Sequence, residues 1–249
     1  MEPLNPPPIM TDISPILITG AARRIGLHLT KRLINSGYRV IAHYRTAGEE
    51  VAQLEALGAL PIQADFESTD DVLKMAEKIR TEHSSLRAII HNASAYQPTS
   101  SDMESAVRQY HTFVAVHMIA PYILNESLRE MLLASKDHCA DILHIVDIYA
   151  ERPNPDYDIY CSTKAALANL NKSFAKKFAP EIQVNAIAPG PVLFLGSHDD
   201  EYRKRVLAKT PLQIEGGPEA IYLMVKALLD NHYTTGVTVP VDGGRSLAE

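Results

Sequence analysis

Tryptophan is absent from the 249-residue chain, and cysteine occurs only twice, at Cys139 and Cys161. Two thiols at that separation make neither a CxxC pair nor a metal-ligand spacing, so no disulfide framework is expected and a reducing, cytoplasmic compartment is. Long apolar runs are missing as well: none approaches the roughly 18 residues that cross a bilayer. An excess of positive charge is also lacking, because 24 Lys and Arg stand against 30 Asp and Glu, a formal net charge of −6. Nucleic-acid binders usually carry a basic stripe, so nucleic acid is not an expected partner, although net charge leaves open where individual arginines sit. The ten histidines show no H-x-x-x-H or similar spacing, and no metal is expected. The opening "MEPLNPPPIMTDIS" has no basic segment and no apolar core, which excludes a secretory leader. It reads as a proline-stiffened, flexible extension over residues 1–14, leaving 15–249 as the folded part.

What is present is an alternation. Short apolar runs, "PILIT" (15–19), "YRVIAHY" (38–44), "ALPIQA" (59–64), "LRAIIHN" (86–92), "DILHIV" (141–146), "IQVNAIA" (182–188) and "GVTVPV" (236–241), are separated by helical patterns near 24–35, 47–57, 69–82, 103–134, 157–178 and 217–230. Strands apolar on both faces, alternating with helices, indicate a parallel sheet covered on each side. No linker or repeat divides the pattern. The expected fold is therefore α/β, a single doubly wound parallel sheet of Rossmann type with helices on both faces. Pro121 should kink the long central helix. Residues 189–215 show no clear element, and ligands in such sheets lie at the carboxyl ends of the strands, so this segment is expected to border the site.

Three groups of residues carry chemistry. The first is "PILITGAARRIG", a strand-to-helix turn in which Gly20 and Gly26 would let a dinucleotide pyrophosphate approach the unpaired N–H groups of the helix. Two glycines alone are a weak signal, since G-x-G-x-x-G is not matched. Arg23 and Arg24 at the mouth of the turn strengthen it through charge-assisted bonds to phosphate. The second is Arg45, at the end of the second strand, where an acidic residue would hold a ribose 2′-OH and an arginine a 2′-phosphate; the cofactor expected is NADPH. The third is the pair Tyr160 and Lys164, i and i+4 on one helix face. There the ammonium is expected to lower the phenol pKa toward working pH. A bare Y-x-x-x-K is common on helices and decides nothing by itself.

Taken in order, "TGAARRIG", "HNAS" (91–94), "YCSTK" (160–164) and "APGP" (188–191) resemble the short-chain dehydrogenase/reductase family over essentially the whole chain. Two departures, Arg24 in place of a glycine and Asp147 in place of the usual serine, are shared with its pteridine reductase branch. Within that branch the chain is most similar to the bacterial dihydromonapterin reductases, through "PILITG", "RRIGL", "HYRT", "QADF", "LRAIIHNASA", "VNAIAP", "EYR" and "DGGR".

The resemblance implies an NADPH-dependent oxidoreductase that reduces a dihydropterin to its tetrahydro form, with dihydrofolate a weaker substrate. Tyr160, Lys164 and Asp147 would be catalytic. Gly20, Arg23, Arg24, Ile25, Gly26, Arg45, Asp65, Phe66, Asn92, Ala93, Ser94, Pro189 and Gly190 would join Tyr160 and Lys164 in binding the cofactor. Arg24, Ser94, Tyr96, Asp147 and Tyr160 would bind the pterin, with the Tyr96 ring stacking on it. Tyr149 and Tyr157 match no motif role and read as wall residues. His117 falls where many members carry a catalytic asparagine, although a histidine on an apolar helix is more often a satisfied core residue. A homotetramer is implied too. The alternatives are a 3-oxoacyl thioester reductase of the same fold, which Asp147 and Arg24 disfavour, and a non-catalytic NADPH-binding regulator, which the retained Tyr160 and Lys164 disfavour.

Overall fold

The computed structural model describes residues 14–136 and 139–248; the expected N-terminal extension lies, apart from Ser14, outside them. Seven strands form one sheet: β1 (Ile16–Ile18), β2 (Val40–Tyr44), β3 (Leu60–Gln63), β4 (Ala88–His91), β5 (Ala140–Ile145), β6 (Ile182–Pro189) and β7 (Thr238–Val241). All pair in parallel, in the order β3-β2-β1-β4-β5-β6-β7. The helices are α1 (Arg24–Asn35), α2 (Glu49–Ala56), α3 (Thr69–Glu82), α4 (Met103–Val114), α5 (Ala120–Ser127), α6 (Arg129–Leu133), α7 (Asp158–Phe178), α8 (Asp200–Ala208) and α9 (Gly217–Asp230).

Period-two alternation within each strand sorts the core into two layers. Ile16 and Ile18 of β1 pack with α1 and α9 residues such as Leu29, Leu33 and Val225. Leu17 points the other way, into a layer holding Val72 and Met75 of α3, Leu124 of α5 and Phe174 of α7. Helices thus cover both faces, as the doubly apolar strands require. The chain runs outward from β1 to β3 and then returns to β4 on the opposite side of β1. That reversal opens a crevice at the carboxyl ends of β1 and β4, the usual ligand position in such sheets.

Two elements differ from the sequence expectation. The long helix over 103–134 is broken, but the break precedes Pro121: Ala115–Ile119 widens into a π turn, and Pro121 stands in the first turn of α5. A proline ring clashes with the carbonyl four residues earlier and donates no hydrogen bond to it, and a widened turn relieves that clash at His117. Within 189–215, expected to hold no element, α8 forms. Asp199 caps it, accepting from the Tyr202 N–H at 2.7 Å, and none of its residues is buried. A helix without an apolar stripe leaves no periodic trace in the sequence.

Candidate active site

The turn after β1 is held open by close backbone packing. Gly20 has φ +64°, and a Cβ there would lie 2.9 Å from Ala93 Cα. At Gly26 a Cβ would meet Gly20 O at 2.1 Å and Asn92 Nδ2 at 2.6 Å. Both positions therefore need glycine, Gly26 because α1 crosses directly over the turn. Asn92 donates its amide to Thr19 O (3.0 Å) and Gly20 O (3.1 Å). The Thr19 hydroxyl accepts from the backbone N–H of Asn92 and of Ala93, both at 3.0 Å. The Asn92 side chain is thus spent on bracing the turn, and Ala93 meets it through its backbone.

His43 braces the turn from the other side, and a polar residue in an apolar strand is its one trace in the sequence. Its Nδ1 accepts from the Gly20 N–H (3.1 Å), which fixes the tautomer, so Nε2–H donates to Ala64 O (3.1 Å). Its ring stacks on Phe66 at 4.1 Å, which places the Phe66 side chain in the core. Burial lowers the His43 pKa to about 4, against opposing contributions from Ala64 and Asp65. The imidazole is neutral at working pH.

The α1 amino terminus carries no acidic residue in its first turn, and Arg23 occupies the cap position. Arg24 has φ +50°, the left-handed region that a glycine fits without strain. Its guanidinium crosses the crevice to donate to Leu193 O at 2.7 Å, tying the turn to the segment after β6. Ile25 packs its side chain against the α1–α9 layer. Arg45, 61% exposed, stands 3.4 Å from Glu67 beside the same crevice, and Asp65 accepts from the Glu67 N–H (3.0 Å). Pro189 ends β6. Gly190 is required by β7, since a Cβ there would lie 2.5 Å from that of Asp242.

Asp147 follows β5, and Tyr160 lies in the first turn of α7. The Tyr160 hydroxyl donates to Asp147 Oδ2 at 2.9 Å, and the Tyr149 N–H donates to Oδ1 at the same distance. Lys164, 2% exposed, donates to Ile145 O at 2.9 Å and stands 5.7 Å from the centre of the Tyr160 ring. Burial lowers its pKa to about 8, opposed by Asp147. Burial also raises the Asp147 carboxyl above its ordinary value, against the Tyr149 and Tyr160 bonds and the Lys164 charge. The expected depression of the Tyr160 pKa is not found. Burial, and then the Asp147 carboxylate beside it, push the phenol well above 10. An anion in hydrogen-bond contact outweighs an ammonium whose own hydrogen bond is made elsewhere.

His117 closes the back of the site and is fully buried. Its Nε2 lies 3.3 Å from the Ala95 N–H and 2.9 Å from the Ser94 hydroxyl. A backbone N–H only donates, so Nε2 accepts and Nδ1–H donates to the Thr163 hydroxyl at 2.8 Å. That hydroxyl donates in turn to Tyr160 O (3.0 Å). Burial, then Lys164, hold the His117 pKa well below 6.5. The residue is a neutral tie between the Ser94 loop and α7. Tyr96 lies edge-on to Tyr160 (4.9 Å) and stacks on Tyr157 (4.9 Å, 10° between planes). In front stand Phe194, His198 and Tyr202, with His198 and Tyr202 rings 4.2 Å apart. This aromatic group was not anticipated, because α8 itself was not. No cluster of metal-ligating side chains occurs among the described residues.

The arrangement sets a glycine turn after β1, a carboxyl after β5 and a phenol and buried lysine on α7 toward the carboxyl end of the sheet. Known proteins resemble the chain over nearly its whole length. Residues 20–246 match the family described as enoyl-(acyl carrier protein) reductase. The chain is 41% identical over 238 residues to the dihydromonapterin reductase of Citrobacter koseri, covering 94% of this chain and 97% of that one. It is 40% identical over 233 residues to the dihydromonapterin reductase of Klebsiella pneumoniae, with the same coverage. Among solved structures, FolM alternative dihydrofolate reductase 1 from Brucella canis, complexed with NADP, superposes with a TM-score of 0.85 at 30% identity over 97% of each chain. The chain belongs to the short-chain dehydrogenase/reductase family.

Proposed function

We propose that this protein is an NADPH-dependent reductase of a dihydropterin, 7,8-dihydromonapterin or a near relative, producing the tetrahydropterin, with dihydrofolate a weaker second substrate. The observation that carries the reading is the Asp147–Tyr160 hydrogen bond. A carbonyl oxygen needs only a hydroxyl beside it, whereas a ring nitrogen that gains a proton is served by a buried carboxyl. The names of the relatives above agree with it.

The turn fits a dinucleotide. Gly20 and Gly26 leave room where side chains would collide, the free end of α1 favours anionic phosphate, and Arg23, Arg24 and Arg45 supply cationic donors. Lys164, Ser94, Pro189 and Gly190 would complete the surroundings of the cofactor. When bound, the reduced nicotinamide supplies a hydride to the carbon of a ring C=N. The protein supplies the proton to the nitrogen. Ionising Tyr160 beside ionised Asp147 would place two anions in contact, so the carboxyl, whose pKa burial raises, gives up its proton first. Tyr160 then donates to the carboxylate left behind, and the Tyr149 N–H holds it in place. Arg24 would hold the pyrophosphate and the polar edge of the pterin, and Tyr96 would offer its ring to the heterocycle.

NADPH oxidation, followed at the nicotinamide band with dihydropterins, dihydrofolate and a 3-oxoacyl thioester in turn, tests the reading. Turnover with a dihydropterin is expected; turnover with the thioester alone would refute it. Two substitutions sharpen it. Arg45→Asp should weaken NADPH by at least about 10-fold and NADH little, in keeping with loss of a charge-assisted phosphate bond; equal losses would place the 2′-phosphate elsewhere. Arg24→Gly should hold Tm roughly 2–4 °C above Arg24→Ala, because both lose the bond to Leu193 O and glycine takes φ +50° without a strain worth about 1 kcal/mol. The same change should lower kcat/KM by at least about 10-fold, as removal of a charge-assisted contact does. A Tm no higher than that of Arg24→Ala would refute the strain.

No helix among the described residues is long and apolar enough to cross a membrane. We place the enzyme in the cytoplasm as a homotetramer. Met103, Val107 and Tyr110 on α4, with Ile119 and Tyr122 just beyond, give an exposed apolar strip suited to a second copy.

A further inference from the structure

Tyr96 lies in the segment 92–102 between β4 and α4, which contains no helix or strand. An aromatic ring on such a segment has no regular backbone to aim it, yet three sets of contacts fix this one. Gln109, buried on α4, accepts from the Ser100 N–H (3.1 Å) and donates to Pro98 O (3.0 Å) and Gln97 O (3.3 Å). Thr99 donates its N–H to Asp156 O (2.8 Å) and its hydroxyl to the Asp158 carboxylate. Tyr157 then lies flat against one face of the Tyr96 ring. Behind it comes Tyr149, 6.3 Å from Tyr157 between ring centres, whose hydroxyl accepts from Asn154 Nδ2 (3.3 Å). Tyr96, 37% exposed, can meet a ligand only with the surface that Tyr157 leaves open.

We infer that Tyr157 and Gln109 are positioning residues that preset Tyr96 as one wall of a slot for a flat heterocycle. The inference rests on the pterin reading and deepens it. A ring already oriented costs less to order when the ligand arrives than a ring on a loose loop. The parallel stack on Tyr96 makes Tyr157 the backstop: without it Tyr96 falls back into the space behind, and the slot widens. Gln109 acts one step further away, since its three bonds set the height of residues 97–100 above α4. Neither residue carries a proton to the substrate.

The full-length chain carrying Tyr157→Ala, Tyr157→Phe or Gln109→Glu tests this. Binding of an oxidised 6-hydroxyalkyl pterin in the presence of NADP is read from pterin fluorescence, NADPH binding separately, and turnover with the matching dihydropterin. For Tyr157→Ala, pterin affinity should fall and KM rise by about five- to tenfold, the scale of one aromatic contact, while NADPH affinity and kcat change less than about twofold. Tyr157→Phe keeps the stack and should restore wild-type pterin affinity. Gln109→Glu loses both donated bonds and should follow Tyr157→Ala in direction. Unchanged pterin affinity in Tyr157→Ala, or a parallel loss of kcat, pterin affinity and NADPH affinity, would overturn the positioning role. If the wild-type protein neither binds the pterin nor reduces any dihydropterin, the underlying functional reading fails instead.

Discussion

Asp147→Ser should lower kcat for dihydropterin reduction by about 10²-fold or more, the usual worth of a positioned general acid, with NADPH affinity changed less than about twofold. The separation follows from geometry. Asp147 meets Tyr160 and the Tyr149 backbone, whereas the turn that fits the dinucleotide is braced by Thr19, His43 and Asn92. A serine hydroxyl can still donate a hydrogen bond, but it is far too weak an acid to protonate a ring nitrogen. Tyr160→Phe should cost less, about 10-fold, because it removes a bond to the departing proton's carboxylate and leaves the carboxyl in place. Stopped-flow single turnovers separate these losses from product release. Should Tyr160→Phe prove the more damaging change, the phenol and not the carboxyl would be the proton donor.

Stability should fall steeply below about pH 6.5. Burial lowers the pKa of His43 to about 4, of His91 to about 3 and of His144 to about 4. His91 donates to Asn125 (2.8 Å), Asn125 faces His144 (3.4 Å), and His144 bonds to Asn171 (3.0 Å), so the last two imidazoles form a neutral polar ladder between sheet and helices. In the unfolded chain each takes a proton near pH 6.5; in the folded chain none does until about pH 4 or below. Stability is therefore fully present above the unfolded value and is lost as pH falls toward the folded values. Three protons at about 1.4 kcal/mol per unit give a slope of roughly 4 kcal/mol per pH unit. Summed over the window this is on the order of 10 kcal/mol, comparable with the whole stability of a typical domain. The raised Asp147 carboxyl, protonated earlier in the folded state than in the unfolded one, offsets part of one proton. Urea unfolding at fixed protein concentration from pH 7.5 to 4.5 checks this; a midpoint that stays constant across that range would contradict it.

Much of this architecture was readable in the residues. Periodicity located α3 and α9 at their observed ends, because each has one apolar face to bury: Val72, Met75 and Ile79 on α3, Ile221, Val225 and Leu228 on α9. Doubly apolar strands implied a sheet covered on both sides, and the structure brings Asp147, Tyr160 and Lys164 together while Arg24 reaches Leu193. The sequence failed where position depends on partners distant in the chain. Nothing local marks His43 as the brace of Gly20, or Gln109 as the clamp beneath Tyr96. The i, i+4 spacing of Tyr160 and Lys164 puts both on one helix face but carries no trace of the burial of the phenol or of the Asp147 carboxyl against it, which together raise its pKa where a lowering was expected. α8 escaped because a helix that buries nothing has no apolar period to detect.

A ternary complex with NADP and a pterin tests the central claim most directly. The Asp147 carboxyl is predicted to lie within hydrogen-bond reach, about 2.6–3.2 Å, of the ring nitrogen that gains the proton, with Tyr160 bonded to the same carboxyl. A pterin bound with that nitrogen turned to solvent, and Asp147 bonded to protein groups alone, would contradict it.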